Sequence, residues 1–519
     1  MQRGLHQLVE AELLYQRGLP PQATYLFKHA LIQDTAYQSL LRSTRQQYHQ
    51  HIAQVLEARF PDLCETQPEL LAQHYTEAGL MAQAVLYWQR AGQRAVQRSA
   101  HVEAVAHLTR GLALLTMLPD TPERARQELA LQLALADALA ATRGYAAPAV
   151  GEACARAREL CQQVGETAQR FRLLARLWSF HLVRAELQTA HEFAQQCLTL
   201  SQQMGDPTAL LSAHQGLGQV LLHLGALVSA RSHLEQVLAL YNPQQHRQQV
   251  AARQEPGMIG LSYTARVLWL LGFPDQALQR SDAALSLARD VGMPGNLAYA
   301  LLAYAAMLHE FRREERLAQE YTEVGMALAA EQGLAQLLAM GTIRRGRALA
   351  ARGSGDDGLA QMHQGLAAYR ATGAEVRRPY LLALLAETYG KTGQPSQGLS
   401  VLTEALTMVD KTAEGWWAAE LHRLKGELLL RQASPTEEVE GCFRQALEIA
   451  RPQQAKSLEL RAAMSLSRLW QQQGKRAAAH ELLAPIYGWF TEGFDTADLQ
   501  EAKALLEELS RSNATNGTV

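Results

Sequence analysis

An all-α protein built as a solenoid of helix pairs is the fold class this sequence predicts, on three observations. One motif recurs: Leu217-Gly218-x-x-Leu221-x-x-x-Gly225, Leu385-Ala386-x-x-Tyr389-x-x-x-Gly393 and Leu466-Ser467-x-x-Trp470-x-x-x-Gly474 each join an apolar–small pair to a large residue and a closing glycine. The closing position returns at Ala185, Gly225, Gly272, Arg313, Gly353, Gly393, Ala433 and Gly474, in steps of 40, 47, 41, 40, 40, 40 and 41 residues. A fixed period of that size marks a stack of two-helix units. Composition agrees: alanine, leucine, glutamine and arginine dominate a chain that is 48% hydrophobic, which favours helix and supplies a continuous core.

The spacing has a physical cause. Small residues such as Gly218, Ala265, Gly346, Ala386 and Gly426 let two helices approach closely, and Leu221, Leu268, Leu349, Tyr389 and Leu429 fill the groove beside them from the same face. The closing glycine supplies the left-handed conformation that ends a helix. No single pair buries its apolar stripe alone, so the units stack, each chiefly on its sequence neighbours.

The elements follow in order. Residues 5–14 read as an amphipathic helix, and 13–18 with 22–28 as a β-hairpin around Gly18-Leu19-Pro20-Pro21. Helices follow over 29–43 and 46–60, the second ended by Pro61. Pairing starts with 70–78 and 80–98, on which 102–117 stacks; the break 118–122 offers Asp120 or Thr121 as the next N-cap. The stretch 242–257, with Asn242-Pro243 and Glu255-Pro256-Gly257, accounts for the 47-residue step and reads as a protruding loop. A helix over 496–509 caps the array, and 510–519 reads as a disordered tail. The expected domains are thus 1–62, 63–509 and the tail 510–519.

The residues Ala72, Tyr75, Gly79, Ala84, Trp88 and Ala91 make one full match to the tetratricopeptide pattern. The chain resembles that family from about 65 to 507, with a unit roughly six residues longer than the standard 34. The resemblance implies a right-handed TPR-like α-solenoid of the long-helix variety found in sensor arms of bacterial signal-transduction ATPases and large transcriptional activators. A second string, Tyr25-x-Phe27-Lys28-His29-Ala30-Leu31-Ile32-Gln33-Asp34-x-Ala36-Tyr37-x-x-Leu40, looks like the segment closing the winged-helix part of STAND-class ATPases. With Arg423-Leu424-Lys425-Gly426-Glu427-Leu428-Leu429-Leu430 and Trp489-Phe490-Thr491-Glu492-Gly493-Phe494-Asp495-Thr496, it resembles the C-terminal half of bacterial multidomain adenylate/guanylate cyclases. That resemblance implies a partial winged helix in residues 1–62, with cyclase and ATPase domains encoded upstream. The chain is then a fragment, a split gene product or a stand-alone descendant of the arm. The residues that perform cyclase or ATPase chemistry are not in it, so neither activity carries over. In such ATPases a winged-helix histidine can reach the nucleotide; if His29 matches it, the nucleotide sits in a domain this chain lacks, the alternative being that His29 packs or caps between the hairpin and the next helix. An incomplete winged helix leaves Leu5, Leu8, Leu13, Leu14 and Tyr15 partly exposed.

Charge and motif content narrow the function. The chain has 49 basic and 51 acidic residues, formally -2, and no basic stripe, which disfavours a dedicated nucleic-acid binder. Arg312-Arg313, Arg344-Arg345-x-Arg347 and Arg377-Arg378 read as solvated faces or inter-repeat ion pairs. Cys64, Cys154, Cys161, Cys197 and Cys442 form no C-x-x-C and read as small core residues of a reducing cytoplasm. No signal peptide and no membrane span are legible; the longest apolar stretch, around 267–273, is far too short to cross a bilayer. Gly390-Lys391-Thr392 resembles the end of a phosphate-binding loop, but Leu385 stands where that loop needs glycine and no strand precedes it. His101 with His107 and His309 with His363 lack metal-ligand spacing, and His49 and His51 diverge on a helix. No cofactor, no metal and no catalytic residue are expected.

The first helix of each pair lines the concave groove of such an array. Its inward positions are Gln215, Gln219 and His223, then Arg266 and Trp269, then Glu310, Arg347, Glu387, Lys391, Arg423, Glu427 and Arg468. This polar set of alternating sign suits a protein or peptide ligand. The expected function is a non-catalytic interaction and regulatory module, with an ATPase/cyclase polypeptide docking at residues 1–62. The alternative is a sensor arm that binds a small molecule.

Overall fold

The computed structural model describes residues 2–19, 23–98, 100–246 and 254–511. The chain forms two compact units, Met1–Ala95 with Glu103–Leu131, and Val96–Val102 with Gln132–Val519. Residues 512–519 of the expected tail, 20–22 of the hairpin turn and 247–253 of the expected loop lie outside the described residues.

In the first unit, strands Leu14–Arg17 and Thr24–Phe27 pair antiparallel, Leu14 opposite Phe27. Helices Ala30–Ser39, Arg42–Arg59, Pro68–Ala78, Met81–Gln97 and His101–Leu115 follow. The core gathers Ala53, Leu71, Ala72, Tyr75, Ala84, Tyr87, Trp88 and Ala91. Glu57 accepts hydrogen bonds from the hydroxyls of Tyr75 and Tyr87, whose rings stack with centroids 5.5 Å apart. Burial first, and those bonds second, push both phenols above their usual range. Leu8 and Tyr15 are exposed, as expected of the N-terminal segment, but Leu14 is not: the hairpin pleat turns it inward, and it is buried. His29 is exposed at the start of Ala30–Ser39 and makes no side-chain capping bond.

Helix Pro122–Arg143 contributes residues to both units, and in the second unit helix Pro148–Val164 precedes the regular pairs. These pairs run from Thr167–Val183 with Leu187–Met204 through Pro207–His223 with Leu227–Leu240, Pro256–Leu270 with Pro274–Val291, and onward to Lys456–Gln472 with Arg476–Tyr487. Helix Ala497–Arg511 ends the described array. All eight sequence-marked turn positions have positive φ, including the non-glycines Ala185, Arg313 and Ala433. A second series interleaves with them at Gly292, Gly333, Gly373, Ala413, Gln454 and Gly493. From Gly272 onward a left-handed residue therefore closes a helix every 19 to 21 residues, twice per repeat. Close approach is real where small residues meet: a Cβ on Gly346 would stand 2.6 Å from the Gly358 carbonyl oxygen. The residues Thr121 and Pro122 behave as capping chemistry requires, the Arg124 amide donating to Thr121 Oγ1 at 3.2 Å.

Neighbouring elements supply most of the packing, as expected, and the solenoid also closes on itself through contacts between distant repeats. The Ser457 hydroxyl donates to the Trp269 carbonyl at 2.5 Å across 188 residues. The Glu375 and Val376 amides donate to the Val183 carbonyl at 2.9 and 3.0 Å, and Gly493 donates to Asp275 at 2.9 Å. These bonds join segments 188 to 218 residues apart. Trp269, Phe311, Tyr380, Trp416 and Trp417 fill the space between, Trp269 stacking on Phe311 at 4.6 Å and Phe311 on Trp417 at 4.9 Å. Trp416 is among the largest fully buried side chains.

The expected loop is corrected in part as well. At its C-terminal end Glu255 is fully buried and caps helix Pro256–Leu270, accepting from the Met258 amide at 2.5 Å.

Truncating the central ring tests this closure. Trp416→Ala is expected to cost about 3–5 kcal/mol. Hydrogen exchange should show protection falling together in Pro207–His223, Pro256–Leu270 and Arg378–Lys391; loss confined to the flanking pairs would restore the nearest-neighbour picture.

Candidate ligand site

Two cavities of the second unit divide the groove positions between them, and their chemistry differs; a third, about 490 Å³, adjoins the charged one at Glu310, Arg347 and Lys391. The charged cavity, about 410 Å³, is lined by Glu310, Arg347, Glu387, Lys391, Arg423, Glu427 and Arg468, seven of the groove positions read from the sequence. The structure brings these together and pairs them with one another. Arg347 lies 3.3 Å from Glu387, Lys391 2.9 Å from Glu387, Arg423 3.2 Å from Glu427 and Arg468 2.8 Å from Glu501. Burial works to raise the Glu387 carboxyl, but Arg347 and Lys391 outweigh it and hold it down at about 2. Glu310 is the hub of the buried part: it accepts from Arg344 Nε at 3.1 Å and the Tyr380 hydroxyl at 2.5 Å, with Arg347 3.7 Å away. Lys391 therefore belongs to an ion pair at a helix end.

The smaller cavity, about 220 Å³, is lined by Gln215, Gln219 and His223 from the groove set. Sequence reasoning missed the rest of its wall: Tyr145, Trp178, Tyr263, Tyr299, Tyr304, Gln254, Gln336 and Arg377. Arg266 and Trp269 line neither large cavity. Both are buried, Arg266 over the Tyr263, Tyr304 and Trp416 rings and Trp269 in the aromatic stack.

Local structure explains how these side chains converge. Helix geometry widens to a π-helix over Ala300–Ala305, placing Tyr299, Ala303 and Tyr304 on the cavity. Two carbonyls of that segment accept from arginines, Leu302 from Arg344 at 2.7 Å and Ala303 from Arg266 at 3.5 Å. Opposite, Arg377 adopts a left-handed φ of 68° just before helix Arg378–Lys391. Its amide donates to both carboxylate oxygens of Glu414, at 2.8 and 3.0 Å. A left-handed arginine is strained by about 1–3 kcal/mol, and the Glu414 bonds hold it.

Glu414, 1% exposed, also accepts from His223 Nδ1 at 3.1 Å and Trp416 Nε1 at 2.9 Å. Burial, against the pull of Glu414, pushes the His223 imidazole down to about 4, so it is neutral near pH 7. The Arg377 guanidinium is 3.2 Å from the Tyr263 hydroxyl and lies over the Tyr304 ring. Among the described residues no carboxylate lies within ion-pair distance of Arg266 or Arg377. Burial first, then the like charge of Arg377, lowers Arg266 to about 10. Arg378, by contrast, pairs with Glu375 and with Glu404, as the sequence reading of that cluster expects.

Comparison with known proteins places the fold. No family model matches the chain. It is 26% identical over 476 residues, 89% of its length, to an uncharacterized protein of Rhizobium meliloti (strain 1021), and spans 45% of that relative. A Rap protein complexed with Competence and Sporulation Factor aligns with 71% of this chain and 98% of its own, at 12% identity and a TM-score of 0.55. A STAND protein with a tetratricopeptide repeat sensor from Pyrococcus horikoshii aligns with 75% of this chain and 55% of its own, at 13% identity and a TM-score of 0.38. The chain is a TPR-like α-solenoid.

Two measurements test the electrostatics. Glu310→Gln strands the buried Arg344 charge and is expected to cost about 3–5 kcal/mol, whereas Lys391→Ala, on a half-exposed pair, should change stability by about 0–1 kcal/mol. Equal effects in chemical denaturation would contradict the distinction. For His223 the folded imidazole titrates near 4 and the unfolded one near 6.5. Its contribution is present above pH 6.5 and is lost as pH falls toward 4, by up to about 3 kcal/mol. His223→Asn should flatten that part of the stability profile; an unchanged slope would show that other groups produce it.

Proposed function

We propose that the chain is a non-catalytic regulatory arm that receives a ligand in the aromatic cavity inside its solenoid and reports occupancy to a protein partner. One observation carries this reading. The cavity wall is drawn from seven separated stretches, around Tyr145, Trp178, Gln219, Pro256, Tyr304, Gln336 and Arg377, so one bound molecule touches segments that meet only because the solenoid closes. A ligand that bridges such segments favours the closed state by its differential affinity for it. The charged cavity supports ligand binding less well, because its side chains already neutralise one another.

The Rap protein, similar in fold, was solved complexed with Competence and Sporulation Factor, a precedent for a factor held by this architecture. The longer relative fits an arm that belongs to a larger signalling system. In the reading we favour, that system is of the bacterial ATPase/cyclase type, and its polypeptide docks at residues 1–62. Exposed Tyr15, Leu26, Leu31 and Leu41 support such docking.

The test is a thermal-shift screen of small metabolites and short peptides against the chain and against Ser212→Phe, which fills the cavity. Stabilising ligands should lose their effect in the variant, and magnesium-ATP should yield neither ADP nor cyclic nucleotide. Ligands indifferent to Ser212→Phe, or nucleotide turnover that survives purification, would overturn the reading.

A further inference from the structure

Two guanidiniums are buried at or behind the aromatic cavity, Arg266 and Arg377, and among the described residues neither has a carboxylate within ion-pair distance. Glu414 binds the Arg377 backbone amide, not its guanidinium. The acceptor capacity of Glu414 is taken up by the Arg377 amide, His223 and Trp416. His223 is neutral and Arg176 is paired with Asp137, while Glu255, fully buried, caps a helix through one carboxylate oxygen and leaves Oε1 without a donor. The Arg377 guanidinium meets the Tyr263 hydroxyl and the Tyr304 ring, contacts that stabilise a buried cation only in part. Arg266 is turned into the packed ring cluster, so Arg377 is the cation that borders the open space.

We propose that this cavity takes a small organic monoanion, a carboxylate carried on an aromatic ring, with the Arg377 guanidinium as its counter-ion. The proposal rests on the reading that the interior cavity is the receiving site. A planar guanidinium matches a carboxylate in geometry and charge, and the pairing is strongest where water is excluded. A monoanion matches the single charge of Arg377, whereas a dianion leaves a buried negative charge. The walls around that point, Trp178, Tyr263, Tyr299 and Tyr304, offer flat faces to a ring. The volume of about 220 Å³ exceeds the roughly 150 Å³ of an apolar cavity that admits benzene, leaving room for the acid group. Trp178 Nε1 is buried with no acceptor, a donor that a ligand oxygen can satisfy.

The test uses the full chain, calorimetric titration, and matched probes: benzoate and phenylacetate against benzamide and phenylacetamide. The acids are expected to bind at least tenfold more tightly than their amides. R377M, which replaces a buried charge by an apolar chain, should abolish that preference while the melting temperature holds or rises. R377K, the conservative second variant, should keep the preference with affinity at least threefold weaker. A preference that survives R377M, or an R377K affinity equal to the parent's, overturns the role of Arg377. Acids and amides binding equally, both lost in Ser212→Phe, would leave the cavity as the receiving site and overturn its anion selectivity. Binding by neither class would overturn both.

Discussion

A buried carboxylate holds the closed solenoid together. Glu414 lies on a turn between helix pairs, yet its partners include His223 from a repeat 191 residues earlier and the backbone of Arg377. An ionised group so deeply buried is tolerable only when its lone pairs are met, and here four hydrogen bonds meet them. Those bonds also fix the left-handed turn at Arg377 and the position of Trp416. The Tyr369 hydroxyl donates to the Val376 carbonyl at 2.7 Å and steadies the same turn from below. Take Glu414 away and the seam, the ring cluster and the cavity wall lose a shared support.

Closure changes what the array can do. An open superhelix offers its groove along the whole length; here five aromatic residues occupy the middle of it. The groove positions are divided between two cavities of opposite character. One is a lattice of ion pairs that neutralises itself across adjacent repeats. The other is walled by rings and amides, and its cation has no carboxylate partner. Buried ion pairs contribute specificity more surely than net stability, which suits the first to fixing repeat register. The second retains electrostatic capacity to attract something from outside.

Local chemistry was legible in the sequence; long-range chemistry was not. The spacing marked all eight turn positions because a left-handed turn and a small-residue contact are decided within one repeat. Arg313 fits only by register, since nothing about arginine suggests a left-handed residue. The same spacing put Gln215, Gln219 and His223 at one cavity and Glu310 through Arg468 at the other, since helix periodicity fixes the inward face. It could not show that Arg266 and Trp269 would be covered, because all the rings that cover them except Tyr263 come from other repeats. Nor did it distinguish Arg377 from Arg378: the two are adjacent and alike, and only the partners differ. The π-helical turn at Ala300–Ala305 left no local signal, its carbonyls being met by arginines from neighbouring helices.

The seam itself provides the most direct measurement. The amides of Glu375 and Val376 lie in a turn and donate to the Val183 carbonyl on the facing helix. In a closed solenoid they should exchange hydrogen as slowly as the cores of the helices they join. Exchange as fast as that of ordinary turn amides would mean that the solenoid stands open, and the cavity beside Arg377 would not exist as described.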